Sequence, residues 1–171
     1  MPPEDRIANA AAELSVIVPA YRATDTIGRA LRSIGEQSVK PFEIIVVDDG
    51  SEDGTAEAAQ SAGDALDGIA VQIIRQPNAG PGAARNRAIA AATGRYIAFL
   101  DADDEWLPEK LAKCLDALTR DQLTMVAHDM EISSPDKSLA RTDCHRNMAK
   151  NGHPFVAQFL WGFVATSTVV A

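Results

Sequence analysis

The sequence predicts an α/β fold built on a mostly parallel sheet with helices on both faces. Short apolar runs rich in β-branched residues alternate along the chain with helical patterns, as they do in βαβ units. The apolar runs are continuous and do not alternate with polar residues, which is typical of strands buried on both faces. With 171 residues, of which 46% are hydrophobic and 23% charged, the chain suits one globular domain.

The first half of the chain predicts two strands and two helices. Leu14–Ala20 (LSVIVPA) is an apolar run flanked by polar residues, which predicts a buried first strand. Apolar side chains at helical spacing predict a helix over residues 25–37. Residues 42–47 (FEIIVV) predict a second buried strand, and the alanine-rich residues 55–65 predict the helix that follows it.

The second half continues the alternation of strands and helices. Strands are predicted over residues 69–75, 96–100 and 123–127. A helix is predicted over residues 83–92, after the turn NAGPG. Another helix begins at Pro108, with a core stripe formed by Leu107, Leu111, Leu115 and Leu118.

The last part of the chain departs from this pattern. Residues 133–152 are polar and without a clear period, which predicts a loop over the active face. Residues 154–161 have the pattern of a short amphipathic helix, and residues 164–171 have the composition of a strand.

Charge and cysteine usage exclude several classes of function. The formal net charge is −8, which argues against a protein that binds the phosphate backbone of nucleic acid. No apolar run reaches the ~20 residues of a membrane span, and residues 1–13 lack a signal-peptide pattern. Two cysteines are too few for a disulfide framework. We expect a cytoplasmic protein, either free or in peripheral contact with the inner face of the membrane.

Aspartates follow two of the predicted strands. Asp48 and Asp49 come after the second strand, and Asp101, Asp103 and Asp104 come after the fourth. Ligands of parallel α/β sheets bind at the carboxyl ends of the strands, and a carboxylate cluster there is repulsive unless a cation offsets it. The D-x-D spacing suits Mg²⁺ or Mn²⁺. The alternative is that these aspartates only cap the following helices.

The glycine-rich turn before the third predicted helix argues against two nucleotide-binding motifs. Gly80-Pro81-Gly82 begins like a dinucleotide fingerprint, but Arg85 stands where the third glycine is needed. The chain also lacks a P-loop motif. Arg85 fits recognition of an anionic group near a helix start, or is an exposed surface arginine.

Four segments together resemble one known family. LSVIVPAYRA, EIIVVDDGSEDGT, NAGPGAARNRAI and GRYIAFLDADDEWLPEKL, in this order, resemble the nucleotide-binding half of inverting family 2 glycosyltransferases of the GT-A fold. The resemblance implies a hexosyltransferase that takes a nucleotide-diphospho-sugar, most simply a UDP-sugar. It implies transfer to a saccharide or lipid-linked acceptor hydroxyl with inversion, in polysaccharide or glycoconjugate synthesis.

The resemblance also implies a role for each matching site residue. Pro19 and Tyr21 would line the pocket for the base and ribose. Asp49 would accept a hydrogen bond from the nucleobase, and Asp48 would support the same turn.

The remaining matches concern the phosphates and the metal. Arg85 would help to hold the nucleotide, and Asp101 would face the ribose. Asp103 would be the direct ligand of a Mg²⁺ or Mn²⁺ ion that bridges the diphosphate. The ion would stabilise the departing nucleoside diphosphate as a Lewis acid.

The resemblance divides the chain into three parts. Residues 1–13 would be an N-terminal extension, residues 14–132 the nucleotide-sugar-binding domain, and residues 133–171 the start of an acceptor-side region in a truncated chain. The general base of the family is an aspartate well downstream of the D-x-D, which places it beyond Ala171. Asp129 and Glu131 are the only nearby substitutes.

Two other classes remain as alternatives. Signalling receiver domains also carry aspartates at strand ends, but their acidic pair follows the first strand and a lysine follows a later one. A non-catalytic nucleotide-sugar-binding module is the second alternative, and turnover of a nucleotide-sugar distinguishes it.

A few other residues have structural or open interpretations. Cys114 is expected in the core beside the leucine stripe, and Trp106 is expected either to stack on a sugar or to pack the acidic loop. No zinc spacing is recognised among Cys144, His145, His128 and His153.

Overall fold

The computed structural model describes residues 2–127, 131–133, 139–141 and 169–170. The strands are β1 (Leu14–Ala20), β2 (Glu43–Asp48), β3 (Ala70–Arg75), β4 (Tyr96–Phe99), β5 (Val126–Ala127), β6 (Glu131–Ser133), β7 (Leu139–Arg141) and β8 (Val169–Val170). The helices are α1 (Pro3–Ala11), α2 (Ile27–Gly35), α3 (Thr55–Asp64), α4 (Pro81–Ala91) and α5 (Lys110–Arg120).

The main sheet has the strand order β3-β2-β1-β4-β8-β5. The pairs β1–β2, β1–β4 and β2–β3 are all parallel, whereas β8 runs antiparallel to both β4 and β5. The predicted α/β fold with a mostly parallel sheet is therefore confirmed. Because the four parallel strands end at the same edge, the loops that follow β1, β2 and β4 meet there.

Helices cover both faces of this sheet, as predicted. Every residue of β1 is buried, and successive residues point to opposite faces. Ile17 belongs to a core with Ile45 and Val47, which packs against Ala84 and Ala88 of α4. The small alanine side chains let α4 lie close to the sheet.

The opposite face carries the larger core. Val16 and Val18 of β1 face it, together with Ile44 and Val46 of β2. Apolar side chains from the other four helices complete this core: Ala10, Ile27, Leu31, Ile34, Ala59, Leu111, Leu115 and Leu118. Cys114 is buried among them, as predicted.

Helix α1 lies within the residues expected to form only an extension. It packs against α5, where the Arg6 guanidinium contacts the Asp116 carboxylate at 3.2 Å. Ala10 and Ala11 are the buried residues of this helix. Such a short apolar face explains why the sequence pattern did not reveal the helix.

Two sequence predictions are wrong in detail. Leu107 is 71% exposed and does not belong to the leucine stripe, because α5 begins only at Lys110. The region predicted as a loop contains β7, which pairs antiparallel with β6. The helix predicted over residues 154–161 lies outside the described residues. None of the described helices is long and apolar enough to cross a bilayer.

Candidate active-site cleft

A cleft of about 730 Å³ lies at the carboxyl edge of the parallel strands. Its wall is built by the loop after β1, the end of β2, the start of α4 and the loop after β4. Six of the site residues predicted from the sequence line this one cleft: Pro19, Tyr21, Asp49, Arg85, Asp101 and Asp103. The seventh, Asp48, lies beneath it.

The loop after β1 is held by side chains from the β2–α3 segment. The Arg22 amide donates to Ser51 Oγ at 2.9 Å, and the Ala23 amide donates to Thr55 Oγ1 at 2.8 Å. Ser51 and Thr55 are buried. Both were missed in the sequence, although a serine and a threonine beside the turn glycines of DDGSEDGT were a signal for such bonds. They fix the position of Tyr21 at the rim of the cleft.

Asp48 supports this turn from below. Its side chain is fully buried, and Oδ1 accepts the Ser51 amide at 3.1 Å. Oδ2 lies 3.4 Å from Nε of Arg75, which supplies the opposite charge that a buried carboxylate requires. Asp48 is therefore part of the foundation of the cleft and not of its lining.

Gly50 allows two loops to approach each other. Its φ is +78°, a conformation that side chains other than glycine rarely adopt. A Cβ at this position would lie 2.8 Å from the Asn78 amide nitrogen. The turn after β2 can therefore contact the segment before α4 only because residue 50 has no side chain.

Asp49 organises the turn before α4. Its Oδ1 accepts hydrogen bonds from Gln76 Nε2 at 2.7 Å and from the Ala79 amide at 2.9 Å, and its Oδ2 accepts the Gly80 amide at 2.8 Å. Burial raises the pKa of Asp49, but these three hydrogen bonds outweigh it and leave the pKa below its ordinary value. The carboxylate is therefore ionised at neutral pH.

Arg85 and Asp101 form an ion pair in the cleft. Arg85 Nη2 lies 2.6 Å from Asp101 Oδ1, and both side chains are largely buried. Nε of Arg85 is buried without a hydrogen-bond partner. Arg85 thus neutralises the charge of one of the carboxylates at the carboxyl edge of the sheet, without a bound cation.

Asp103 differs from the other carboxylates of the cleft. It is exposed, and within the part of the chain that the structure describes it has no hydrogen-bond or ion-pair partner. The described residues hold no group of three or more histidines, cysteines or carboxylates placed to bind a metal. Mg²⁺ and Mn²⁺ need only one or two protein carboxylates when substrate phosphates and water supply the remaining ligands. The free carboxylate of Asp103 fits that requirement.

The acidic loop after β4 is fastened to α2. The Trp106 amide donates to Ser33 Oγ at 3.0 Å, and Gln37 Nε2 donates to the Leu107 carbonyl at 2.8 Å. Ser33 and Gln37 are both buried. Neither residue was predicted from the sequence, because serine and glutamine are usually exposed and nothing in the local pattern marks these two as buried.

Trp106 packs this loop and does not line the cleft. Its side chain is buried, and Lys110 Nζ lies 3.7 Å from the centre of its ring. Burial lowers the pKa of Lys110 to about 8. Of the two interpretations of Trp106, packing against the following helix is the one observed.

The capping interpretation of the aspartates is not supported. None of the helices α1 to α5 has a side-chain hydrogen bond at its N-cap, so none of the five aspartates clustered at the strand ends caps one. Asp53, which is outside that cluster, accepts the Thr55 amide at the start of α3 at 3.2 Å. Asp104 does not line the cleft, and its amide donates to the Asp101 carbonyl at 3.0 Å. Three of the five clustered aspartates therefore face the cleft.

A parallel sheet with one cleft across the ends of β1, β2 and β4 is the architecture of GT-A transferases. The family model described as glycosyl transferase family 2 matches residues 15–161, and the chain belongs to this family. That assignment excludes the receiver-domain alternative.

The regions matched in named relatives span most of this chain but only part of each relative. The amylovoran biosynthesis glycosyltransferase AmsB of Erwinia amylovora is 34% identical over 165 residues, which are 91% of this chain and 54% of AmsB. The putative teichuronic acid biosynthesis glycosyltransferase TuaG of Bacillus subtilis is 43% identical over 103 residues, which are 60% of this chain and 40% of TuaG. The chain thus spans about half the length of these relatives or less.

Solved structures show the same fold. The mannosyltransferase PcManGT of Pyrobaculum calidifontis, in complex with GDP-Man and Mn²⁺, aligns with a TM-score of 0.63 and 29% identity over 72% of this chain and 36% of its own. S. aureus TarS 1-349, in complex with UDP, aligns with a TM-score of 0.59 and 29% identity over 66% of this chain and 34% of its own.

Proposed function

We propose that this chain binds the nucleotide-diphospho-sugar donor of an inverting, metal-dependent glycosyltransferase. The observation that carries the proposal is the cleft at the carboxyl edge of the sheet, which is lined by Pro19, Tyr21, Asp49, Arg85, Asp101 and Asp103. Solved relatives of this fold contain UDP or GDP-Man, which supports a nucleotide-sugar as the ligand.

The nucleoside end of the donor would lie near β1 and β2. The Pro19 ring and the half-exposed Tyr21 ring offer apolar surface for the base and ribose. The Asp49 carboxylate already accepts three hydrogen bonds and retains capacity for one more, from an N–H of the base. Asp48 keeps the turn rigid from below. A uracil ring carries the required N–H, so a UDP-sugar is the donor that we propose.

The diphosphate would lie between the loop after β1 and the loop after β4, which both line the cleft. Arg85 offers a guanidinium that is held in place by Asp101, and Asp101 remains accessible on the ribose side. Arginine suits this role because its planar fork of N–H groups matches phosphate oxygens. The Arg85 guanidinium would therefore orient the donor from a position that is already fixed before the donor binds.

Asp103 is the residue that would hold Mg²⁺ or Mn²⁺. The bound ion would neutralise charge that develops on the departing diphosphate. Asp101, which lines the same cleft, would orient a water or phosphate ligand of the same ion. The Mn²⁺ in the related mannosyltransferase structure supports this choice of metal.

The acceptor and the cellular process are proposed from the named relatives. AmsB and TuaG are named for amylovoran and teichuronic acid biosynthesis, and WfgD of Escherichia coli for glucosyl transfer to a diphosphoundecaprenol-linked sugar. We propose a saccharide or lipid-linked acceptor, polysaccharide or glycoconjugate synthesis, and a cytoplasmic site of action at the inner face of the membrane. Glu131 opens β6, and Asp129 lies outside the described residues, so neither is assigned as the general base.

Calorimetry with UDP tests the proposal directly. The chain should bind UDP in the presence of Mn²⁺ and lose most of this affinity in EDTA, because an acidic cleft repels an uncompensated diphosphate. Absence of UDP, GDP and dTDP binding under both conditions would refute donor binding. Equal UDP affinity with Mn²⁺ and with EDTA would refute the metal. Release of nucleoside diphosphate from a bound nucleotide-sugar distinguishes an enzyme from a non-catalytic binding module.

A further inference from the structure

Arg22 has an unusual backbone at the rim of the cleft. Its φ is +50°, and Gln122 is the only other non-glycine residue with positive φ in the part of the chain that the structure describes. Left-handed backbone is unfavourable for a residue with a Cβ and persists only where the surroundings impose it. Here the Ser51 hydroxyl binds the Arg22 amide, and the Thr55 hydroxyl binds the amide of the next residue.

The side chain of Arg22 carries a charge that no carboxylate of the described residues neutralises. Its guanidinium carbon lies 5.2 Å from the centre of the Tyr21 ring, and no carboxylate pairs with it among the residues that the structure describes. Arg85, the other arginine that lines the cleft, is paired with Asp101 at 2.6 Å. Contact with an aromatic face leaves the N–H edge of a guanidinium free for an anion.

The charges of the cleft show what this arginine can do. Three carboxylates line it, of which Asp49 is satisfied by hydrogen bonds and Asp101 by Arg85. Arg22 is thus the arginine of this lining whose charge is not offset by a carboxylate of the described residues. An anionic ligand that enters the cleft meets a repulsive carboxylate at Asp103 and an unpaired guanidinium at Arg22.

We propose that Arg22 binds a phosphate group of the donor, and that the strained turn is maintained because it holds this guanidinium at the cleft. The inference rests on the proposed function, since the diphosphate of the donor is the anion concerned. Phosphate binds to guanidinium through charge-assisted and often bidentate hydrogen bonds. Arg22 therefore acts on the phosphates through its charge, independently of the metal and of nucleoside recognition.

The test compares UDP with uridine, which lacks the phosphates. Arg22→Ala should weaken UDP binding roughly tenfold, as expected for loss of a charged hydrogen bond, and should leave uridine binding unchanged. The same loss should occur in EDTA. Arg87→Ala serves as the matched control, because Arg87 is exposed on α4 and does not line the cleft. Its UDP affinity should equal that of the wild type.

Arg22→Gly separates the charge from the backbone. It should lose as much UDP affinity as Arg22→Ala, yet melt at a higher temperature, because glycine adopts positive φ without strain. Equal melting temperatures of the two variants would overturn the role of the strained turn. An equal loss of UDP and uridine affinity would show that Arg22 only shapes the nucleoside pocket.

The result for the wild type keeps the two proposals apart. If wild-type protein fails to bind UDP, the proposed function fails. If wild-type protein binds UDP and both Arg22 variants bind it equally well, only the inference about Arg22 fails.

Discussion

Gln37 Oε1 accepts the Leu111 amide at 3.0 Å, which joins the end of α2 to the first turn of α5. Nε2 of the same side-chain amide donates to the carbonyls of Ser33 and Leu107. One buried amide thus bridges two helices and the acidic loop between β4 and α5. The positions of Asp101 and Asp103 depend on contacts made outside the cleft.

Replacing Gln37 with leucine should destabilise the protein. The substitution leaves the Leu111 amide without a partner, whereas the Leu107 carbonyl keeps its hydrogen bond from the Lys110 amide. One orphaned buried amide costs about 1–3 kcal/mol in the free energy of unfolding. Urea denaturation measures this loss. Gln60→Leu is the matched control, because Gln60 is exposed and its side chain binds Asp64 on its own helix. A Gln37→Leu midpoint as high as that of Gln60→Leu would contradict the bridging role.

Asp103 and Asp49 should control different parts of donor binding. Asp103→Asn should abolish the dependence of UDP affinity on Mn²⁺, because among the cleft carboxylates that of Asp103 is the one without a partner in the described residues. Asp49→Asn should weaken uridine binding in EDTA as well. Calorimetry of both variants with both ligands separates the two effects.

An exposed aspartate away from the cleft provides the control for this pair. Asp67→Asn should behave as wild type with UDP, with and without Mn²⁺. If Asp103→Asn and Asp49→Asn lost only metal dependence, the assignment of Asp49 to the nucleobase would be wrong.

The pKa of Asp49 makes part of the stability depend on acid pH. Its hydrogen bonds lower the pKa in the folded state, so its contribution is complete above the unfolded value, near about 4. That contribution is lost as pH falls from this value through the lower pKa of the folded state. Urea denaturation between pH 2 and 7 should show a steeper acid loss for wild type than for Asp49→Asn. Parallel pH profiles would refute the linkage.

The topology of the site was predictable, but its supporting contacts were not. Leu14–Ala20 is bounded by polar residues, so both the first and the last residue of β1 could be predicted. Parallel strands bring Asp49 and Asp101 to one edge whatever the side chains do in detail. The ion pair of Asp48 with Arg75 joins two strands, and the buried position of Gln37 depends on contact with α5. These are long-range contacts, and no local pattern encodes them.

Lys110 should destabilise the folded state until it loses its proton. Burial lowers its pKa to about 8, whereas an unfolded lysine titrates near 10.4. Below pH 8 both states carry the charge. Between pH 8 and the unfolded value the folded protein binds fewer protons, so stability should rise with pH, by on the order of 3 kcal/mol in total.

Lys110→Met isolates this effect. Methionine keeps an apolar contact with the Trp106 ring and has no charge to bury. The free energy of unfolding of wild type relative to Lys110→Met should therefore increase between pH 7 and 10. A constant difference over that range would show that the amine keeps an ordinary pKa.

Gly50→Ala should disturb the cleft through the backbone alone. The φ of +78° and the 2.8 Å approach of a Cβ to the Asn78 nitrogen both oppose a side chain, at a combined cost of about 2–4 kcal/mol. The displaced segment carries the Ala79 and Gly80 amides that bind Asp49, so uridine affinity should fall together with stability.

Gly28→Ala is the control, because a Cβ there meets nothing within 4 Å and position 28 lies in α2. That variant should gain about 0.5 kcal/mol and bind uridine normally. Denaturation and calorimetry on both variants give the answer, and equal stability of the two would refute the requirement for glycine at position 50.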